Sequence, residues 1–184
     1  MFNANPKTLQ RIAAKIERIL IVDPNPYAAR LLSELCKEMG ARQIATALRS
    51  DRGLEVTAEF EPDIIFTEYN GPDIDGVEFT KRLRRSKLTA HRAPVIMVTN
   101  EATAASIIAA RNAGVHEFLR KPYTSGDLFR RIENVALKPR DWIEAQMYVG
   151  PDRRRFNSED YAGSKKRRAD GKPKPETAEL SKVG

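Results

Sequence analysis

Five short apolar runs alternate with five helical patterns between Arg18 and Leu137, and this alternation constrains the fold more than any other feature of the sequence. Apolar runs of this length suit strands buried on both faces. Strands that alternate with helices predict a parallel sheet with helices on both of its faces. The predicted strands are Ile19–Val22, Arg42–Thr46, Asp63–Thr67, Pro94–Val98 and Val115–Leu119, and the predicted helices are Tyr27–Met39, Ser50–Phe60, Gly76–Ser86, Ala102–Ala113 and Ser125–Leu137.

The fold class predicted from this pattern is α/β, with a doubly wound, five-stranded parallel sheet. Strand order does not follow from the pattern alone, and the flavodoxin-like order 2-1-3-4-5 that we expect is one of the two common solutions. The expected domains are a lead-in helix in residues 1–17, a folded domain in residues 18–137, and a basic, mostly disordered tail in residues 138–184.

Composition excludes several classes of protein. The chain lacks an apolar run of about 18 residues and a cleavable leader, so we expect a cytoplasmic protein without a membrane segment. Its single cysteine, Cys36, cannot form an internal disulfide and lies in an apolar helical pattern, which favours a packed thiol. His91 and His116 have no partners at a useful spacing, and we expect both at the surface.

The carboxyl ends of the predicted strands bring four reactive side chains to one edge of the sheet. Asp23 follows the first strand, Glu68 follows the third, Thr99 follows the fourth and Lys121 follows the fifth. In an open parallel sheet, ligands bind in the crevice at this edge. We therefore expect two carboxylates, a hydroxyl and an ammonium to meet there, whereas Asp73 and Asp75 are expected to stabilise the turn before the third helix.

The stretch from Arg18 to Leu137 resembles a CheY-like response-regulator receiver domain. The resemblance covers about two thirds of the chain, and its markers are Ile21-Val22-Asp23, Pro72, Asp75-Gly76, Pro94 to Thr99, Ala113-Gly114 and Lys121-Pro122. It implies phosphorelay signalling of the two-component type, in which an Asp at the end of the third strand accepts a phosphoryl group. It also implies a Mg²⁺ site that includes Asp23 and the backbone carbonyl of Asn70, phosphoryl binding by Thr99 and Lys121, and an aromatic switch at Phe118.

Two departures from the family pattern indicate a degenerate receiver, or pseudo-receiver. Pro24 stands where the family has a second acid, and Glu68 stands at the position of the phosphoacceptor Asp. Loss of a carboxylate weakens a Mg²⁺ site, and a longer side chain moves the acceptor oxygens by about 1.5 Å, enough to cost about 100-fold in rate. Glu68 either mimics the activated state or forms an inert ion pair with Lys121. We expect a module that is not an enzyme and that binds another signalling protein; the alternative is a conventional phosphoacceptor.

The tail holds most of the excess positive charge. Residues 138–184 contain twelve basic and eight acidic residues, and Tyr148 to Arg155 is echoed thirteen residues later by Tyr161 to Arg168. This repeat resembles the arginine-rich extension of CheY-like proteins that bind cyclic di-GMP. A nucleic-acid site and a solvated or protein-docking tail remain alternatives, since arginine forks and aromatic rings suit all of these anions. The candidate ligand-binding residues are Tyr148, Arg153, Arg154, Arg155, Tyr161, Arg167 and Arg168, with Trp142 and Phe156 as further stacking faces.

Overall fold

Five parallel strands form the central sheet of the computed structural model, which describes residues 5–154. The strands are β1 (Arg18–Val22), β2 (Gln43–Ala47), β3 (Ile64–Thr67), β4 (Val95–Thr99) and β5 (Glu117–Arg120). Their order is β2-β1-β3-β4-β5, and every pairing between them is parallel. The predicted fold class and strand order are confirmed, and the observed strand boundaries differ from the predicted ones by one or two residues.

Six helices accompany the sheet. They are α1 (Pro6–Ala13), α2 (Pro26–Glu38), α3 (Ser50–Phe60), α4 (Gly76–Arg85), α5 (Ala104–Ala113) and α6 (Ser125–Leu137), with a 3₁₀ turn at Thr89–Arg92. Most begin at a polar cap: the side chain of Asp75 accepts the Glu78 N–H at 2.6 Å, and Thr124 forms a reciprocal capping box with Asp127. These caps place the start of each helix close to the crevice at the carboxyl ends of the strands.

The sheet separates two apolar clusters. Alternate residues of the central strands point to opposite faces: Ile19, Ile21 and Phe66 belong to one cluster, whereas Leu20 and Ile65 belong to the other. The first cluster includes buried residues of α1, α2 and α6, and the second includes buried residues of α4 and α5. Because both faces are covered, β1, β3 and β4 are buried almost throughout, as their uninterrupted apolar sequences predict.

An antiparallel hairpin follows α6, and the sequence pattern did not predict it. Strand β6 (Trp142–Ala145) pairs with β7 (Tyr148–Pro151), and β7 packs against α4 and α5. The compact unit therefore continues to Arg153, past the domain end that we predicted at Leu137. The tail's first motif copy begins on β7, whereas the second copy lies outside the described residues.

The hairpin rests on a buried arginine. Arg84 lies near the end of α4 and donates from Nη1 to the carbonyls of His91 (2.6 Å) and Ala93 (3.0 Å) and from Nη2 to that of Gly114 (3.0 Å). The Trp142 ring covers this guanidinium, with 5.2 Å between Cζ and the ring centroid. Burial lowers the Arg84 pKa to about 9. One side chain thus joins α4, the 3₁₀ turn and α5 to the hairpin.

His116 is part of this junction, so the expectation of a surface histidine was wrong. Its Nδ1 accepts the Val95 N–H at 3.2 Å and an Arg84 N–H at 3.3 Å, and its ring stacks on Trp142. An Nδ1 that accepts two donors belongs to a neutral imidazole protonated at Nε2. Burial, with the nearby charges of Arg84 and Arg140, holds the His116 pKa well below its usual value. The position lies just before β5, at the edge of the sheet opposite the crevice.

Candidate functional site

Main-chain hydrogen bonds at the ends of β1, β3 and β4 align the crevice residues. The Asp23 N–H donates to Ala47, the Glu68 N–H donates to Val22 at 2.9 Å, and the Lys121 N–H donates to Thr99 at 2.8 Å. Each reactive residue thus continues the ladder of its own strand by one position. The sequence-based prediction that these side chains converge follows directly from this register.

Lys121 lies between the two carboxylates. Its Nζ is 2.8 Å from Asp23 Oδ2 and 2.8 Å from Glu68 Oε2. The remaining oxygens are also hydrogen-bonded, because Asp23 Oδ1 accepts the Asn25 N–H at 2.8 Å and Glu68 Oε1 accepts the Tyr69 N–H at 2.7 Å. All four carboxylate oxygens therefore have a donor. We call Asp23, Glu68 and Lys121 the ion triad.

The ion triad is largely shielded from solvent. The side chains of Lys121, Asp23 and Glu68 are 17%, 7% and 12% exposed. Burial by itself lowers the Lys121 pKa, but its hydrogen bonds and charge interactions with both carboxylates outweigh burial, and the net shift is upward. Lys121 is therefore protonated at neutral pH and carries the charge that balances one of the two acids.

Thr99 and Asn70 lie at this edge without completing the triad. The buried Thr99 hydroxyl accepts the Glu101 N–H at 3.0 Å and so stabilises the turn after β4. Asn70 is exposed on the loop after β3. The predicted switch residue, Phe118, is half-buried on β5 and packs against the cluster that includes α4 and α5. The structure thus brings Asp23, Glu68 and Lys121 into contact and places the other predicted residues around them.

The loop between β3 and α4 is held at both ends by side chains, and the sequence indicated only one of these contacts. Asp75 caps α4, as predicted. Asp73 instead accepts the N–H groups of Ser50 (3.2 Å) and Asp51 (2.7 Å) and so caps α3, more than twenty residues earlier in the chain. Gly76 lies so close to the loop that a Cβ there would approach the Glu68 carbonyl oxygen to 2.1 Å. This packing fixes the backbone beside the triad.

The family model for the response regulator receiver domain matches residues 19–133. The chain belongs to this family. The receiver domain is 31% identical over 118 residues to the chemotaxis protein CheY of Pseudomonas aeruginosa, an alignment that covers 64% of this chain and 94% of that protein. It is therefore a CheY-like module of two-component signalling.

Solved structures show the same receiver fold. A response regulator receiver domain protein from Clostridium thermocellum is 25% identical, with a TM-score of 0.59 and coverage of 66% of this chain and 94% of that one. The receiver domain of a Pseudomonas aeruginosa sensor histidine kinase, described with a magnesium ion in its active-site cleft, is 22% identical, with a TM-score of 0.59 and coverage of 65% and 97%. These matches end before the hairpin adds β6 and β7 to the receiver domain.

Two further observations concern binding sites in this receiver domain. Within residues 5–154, no three or more His, Cys, Asp or Glu side chains form a group suited to a metal ion. No helix among the same residues is long and apolar enough to cross a membrane. Arg155, Tyr161, Arg167 and Arg168 of the predicted anion site lie outside the described residues.

The described part of the predicted anion site is mostly engaged within the hairpin. Tyr148 is buried, its hydroxyl donates to the Pro151 carbonyl at 2.5 Å, and the guanidinium of Arg153 lies 4.6 Å above its ring. Trp142 likewise contacts His116 and Arg84. Among the predicted ligand-binding residues that the structure describes, Arg153 and Arg154 have exposed side chains.

Proposed function

We propose that this receiver domain signals without phosphoryl transfer, by binding a partner protein in one maintained conformation. The ion triad carries the proposal. A phosphoacceptor needs a carboxylate oxygen free to attack a phosphorus atom in line, whereas each oxygen of Glu68 already accepts a hydrogen bond shorter than 3 Å. The Lys121 ammonium lies against the Glu68 carboxylate, so it is paired before any phosphoryl group arrives.

The residues of the crevice do not fit Mg²⁺ well. This ion requires near-octahedral oxygen ligands and in proteins is bound through one or two carboxylates. Pro24 supplies no carboxylate, and both oxygens of Asp23 accept hydrogen bonds, one from the Lys121 ammonium. A divalent cation near Asp23 would also be repelled by Lys121. We therefore derive no step through Mg²⁺ in this domain.

Labelling by a small phosphodonor in the presence of Mg²⁺ tests this proposal. The native protein is compared with Glu68→Asp and with Pro24→Asp/Glu68→Asp, which restores both acids of the family pattern. We expect no label on the native protein, little on the single variant and clear label on the double variant, measured by intact mass. Label on the native protein at the level of the double variant would instead support a conventional phosphoacceptor.

The partner surface that we propose lies on α5, β5 and α6, the face that family resemblance implies. Ile107 and Ile108 on α5 are 44% and 49% exposed, which is consistent with a protein-binding face. A pull-down from the native host with the full chain, Ile108→Lys and the control Leu31→Lys on α2 tests this surface, because Leu31 is also exposed. Loss of the captured partner with Ile108→Lys alone supports the proposal, and equal loss with both variants contradicts it.

We further propose that the tail binds an anionic ligand, with cyclic di-GMP as the candidate. The proposal rests on the repeated aromatic and basic motif, since a twofold ligand offers two equal halves. Titration of the full chain with cyclic di-GMP, with GTP as competitor, is compared with Arg167→Ala/Arg168→Ala and the control Lys172→Ala/Lys174→Ala. Binding that resists salt and is lost only in the arginine variant supports this ligand. Binding of any polyanion with a steep salt dependence would indicate a nucleic-acid site.

A further inference from the structure

Strand β6 has one paired edge and one free edge. The Asp152 N–H donates to the Asp141 carbonyl at 2.7 Å, so this pair and every second pair after it, Ile143–Gly150 and Ala145–Tyr148, face each other through their hydrogen-bonding groups. The N–H and C=O groups of Trp142 and Glu144 then point away from β7. Within residues 5–154, these outward groups make no main-chain hydrogen bond.

The free edge is held in place by the side chains of the same two residues. Trp142 packs on Arg84 and His116, and its Nε1 donates to Glu144 Oε1 at 2.9 Å. Glu144 also forms an ion pair with Arg92 at 2.7 Å. Anchored edges with unpaired backbone groups are templates for strand addition. Charged side chains often protect such edges, but here Arg92 neutralises the Glu144 carboxylate.

We propose that β6 pairs with β6 of a second copy of this chain, in an antiparallel, twofold-symmetric ribbon of four strands. A twofold axis at Ile143 places Trp142 of one copy opposite Glu144 of the other, and this occurs twice. Both residues present outward groups, so the two pairs form four main-chain hydrogen bonds. The proposal concerns the hairpin and is independent of the ion triad.

The side chains favour a second copy over an unrelated extended peptide. Each Glu144 faces a Trp142 ring that has two guanidinium groups beside it, Arg84 at 5.2 Å and Arg92 at 5.5 Å, so charges are complementary in both pairs. Ile143, whose side chain is 37% exposed, meets its own symmetry mate at the axis. The strand has only four residues. The ribbon therefore gives a reversible dimer whose population depends on concentration.

Position-specific disulfide trapping tests the register. At the axis, Ile143 forms a non-hydrogen-bonded pair with its mate, for which the Cα–Cα distance is about 4.5 Å, within the range for a disulfide. Two copies of residue 145 would be four positions apart along the ribbon, or about 13 Å, beyond that range. Cys36 does not compete, because it is buried and burial raises its pKa to about 12. Mild oxidation should link Ile143→Cys into a dimer and leave Ala145→Cys unlinked.

A backbone variant tests the hydrogen bonds directly. Glu144→Pro removes an outward N–H without removing a bond to β7, and Glu144→Ala removes the same side chain but keeps that N–H. By sedimentation equilibrium from low- to high-micromolar protein, we expect a dimer for the native chain and Glu144→Ala, and at least tenfold weaker association for Glu144→Pro. Circular dichroism verifies that both variants are folded.

Three results would overturn the proposal. The first is a native chain that stays monomeric over the whole range, which would leave the edge to a peptide from another protein or to another segment of this chain. The second is equal trapping of Ile143→Cys and Ala145→Cys. The third is a dimer that survives Glu144→Pro but is lost in Ile108→Lys, since that result would place the contact on α5.

Discussion

Removing the ammonium of the ion triad should destabilise the domain strongly at neutral pH. Lys121→Met keeps the length of the side chain but leaves the carboxylates of Asp23 and Glu68 without their shared donor, although each was 2.8 Å from it. Removing one partner of a buried ion pair typically costs about 3–5 kcal/mol. Because the three side chains are between 7% and 17% exposed, water can partly solvate the remaining acids. We therefore expect a loss of about 3 kcal/mol at the lower end of that range.

Denaturant unfolding at pH 7 measures this loss, and the same experiment near pH 4 tests its electrostatic origin. Protonation of one carboxylate relieves the repulsion in Lys121→Met, so the difference from the native protein should shrink as the pH falls to about 4. Arg30→Ala is the control, because its exposed ion pair with Glu34 is worth at most about 0.5 kcal/mol. A loss below about 1 kcal/mol for Lys121→Met at pH 7, or a loss independent of pH, would refute the reasoning.

Three further predictions concern the same pocket and the hairpin. The Lys121 pKa is raised on folding, so its stabilisation is complete below the unfolded value of about 10.4 and is lost as the pH rises through the folded pKa; alkaline unfolding should show a loss of stability that Lys121→Met lacks. Trp142→Ala uncovers the Arg84 guanidinium and should cost about 2–4 kcal/mol in chemical unfolding, whereas Trp142→Phe should cost less. Gly114→Ala should cost about 1–3 kcal/mol in thermal unfolding, because Gly114 has a φ of +95° and a Cβ would approach the Val149 carbonyl oxygen to 2.9 Å; a neutral effect would contradict this close packing.

The fold could be predicted from the sequence because strong local signals agreed with one another. Runs such as Ile19–Val22 and Val95–Val98 are too apolar to face water, and helical stripes between them require a crossover over each face. The crevice followed from the same reasoning, since Asp23, Glu68 and Lys121 each come directly after a strand. What the pattern could not supply was the hydrogen bonding, above all that the Asn25 and Tyr69 N–H groups occupy the remaining carboxylate oxygens.

The hairpin could not be predicted because its stability comes from distant residues. Strands of four residues such as β6 carry little periodicity, and three residues of β6 are exposed. Arg84 was one more basic residue at the end of a helix until Gly114 and Trp142 were placed beside it. The same holds for Asp73, whose cap on α3 joins residues more than twenty positions apart. Contacts of this kind have no signature at short sequence spacing.

The central claim, that Lys121 occupies the crevice in place of a metal-binding arrangement, is tested most directly by a Mg²⁺ titration followed through two backbone amides. The Asn25 and Tyr69 N–H groups donate to Asp23 and Glu68, so their NMR resonances report any change at either carboxylate. We predict that neither resonance moves in the native protein through the millimolar range, whereas both move in Pro24→Asp/Glu68→Asp. Saturable shifts of both resonances in the native protein would contradict the account.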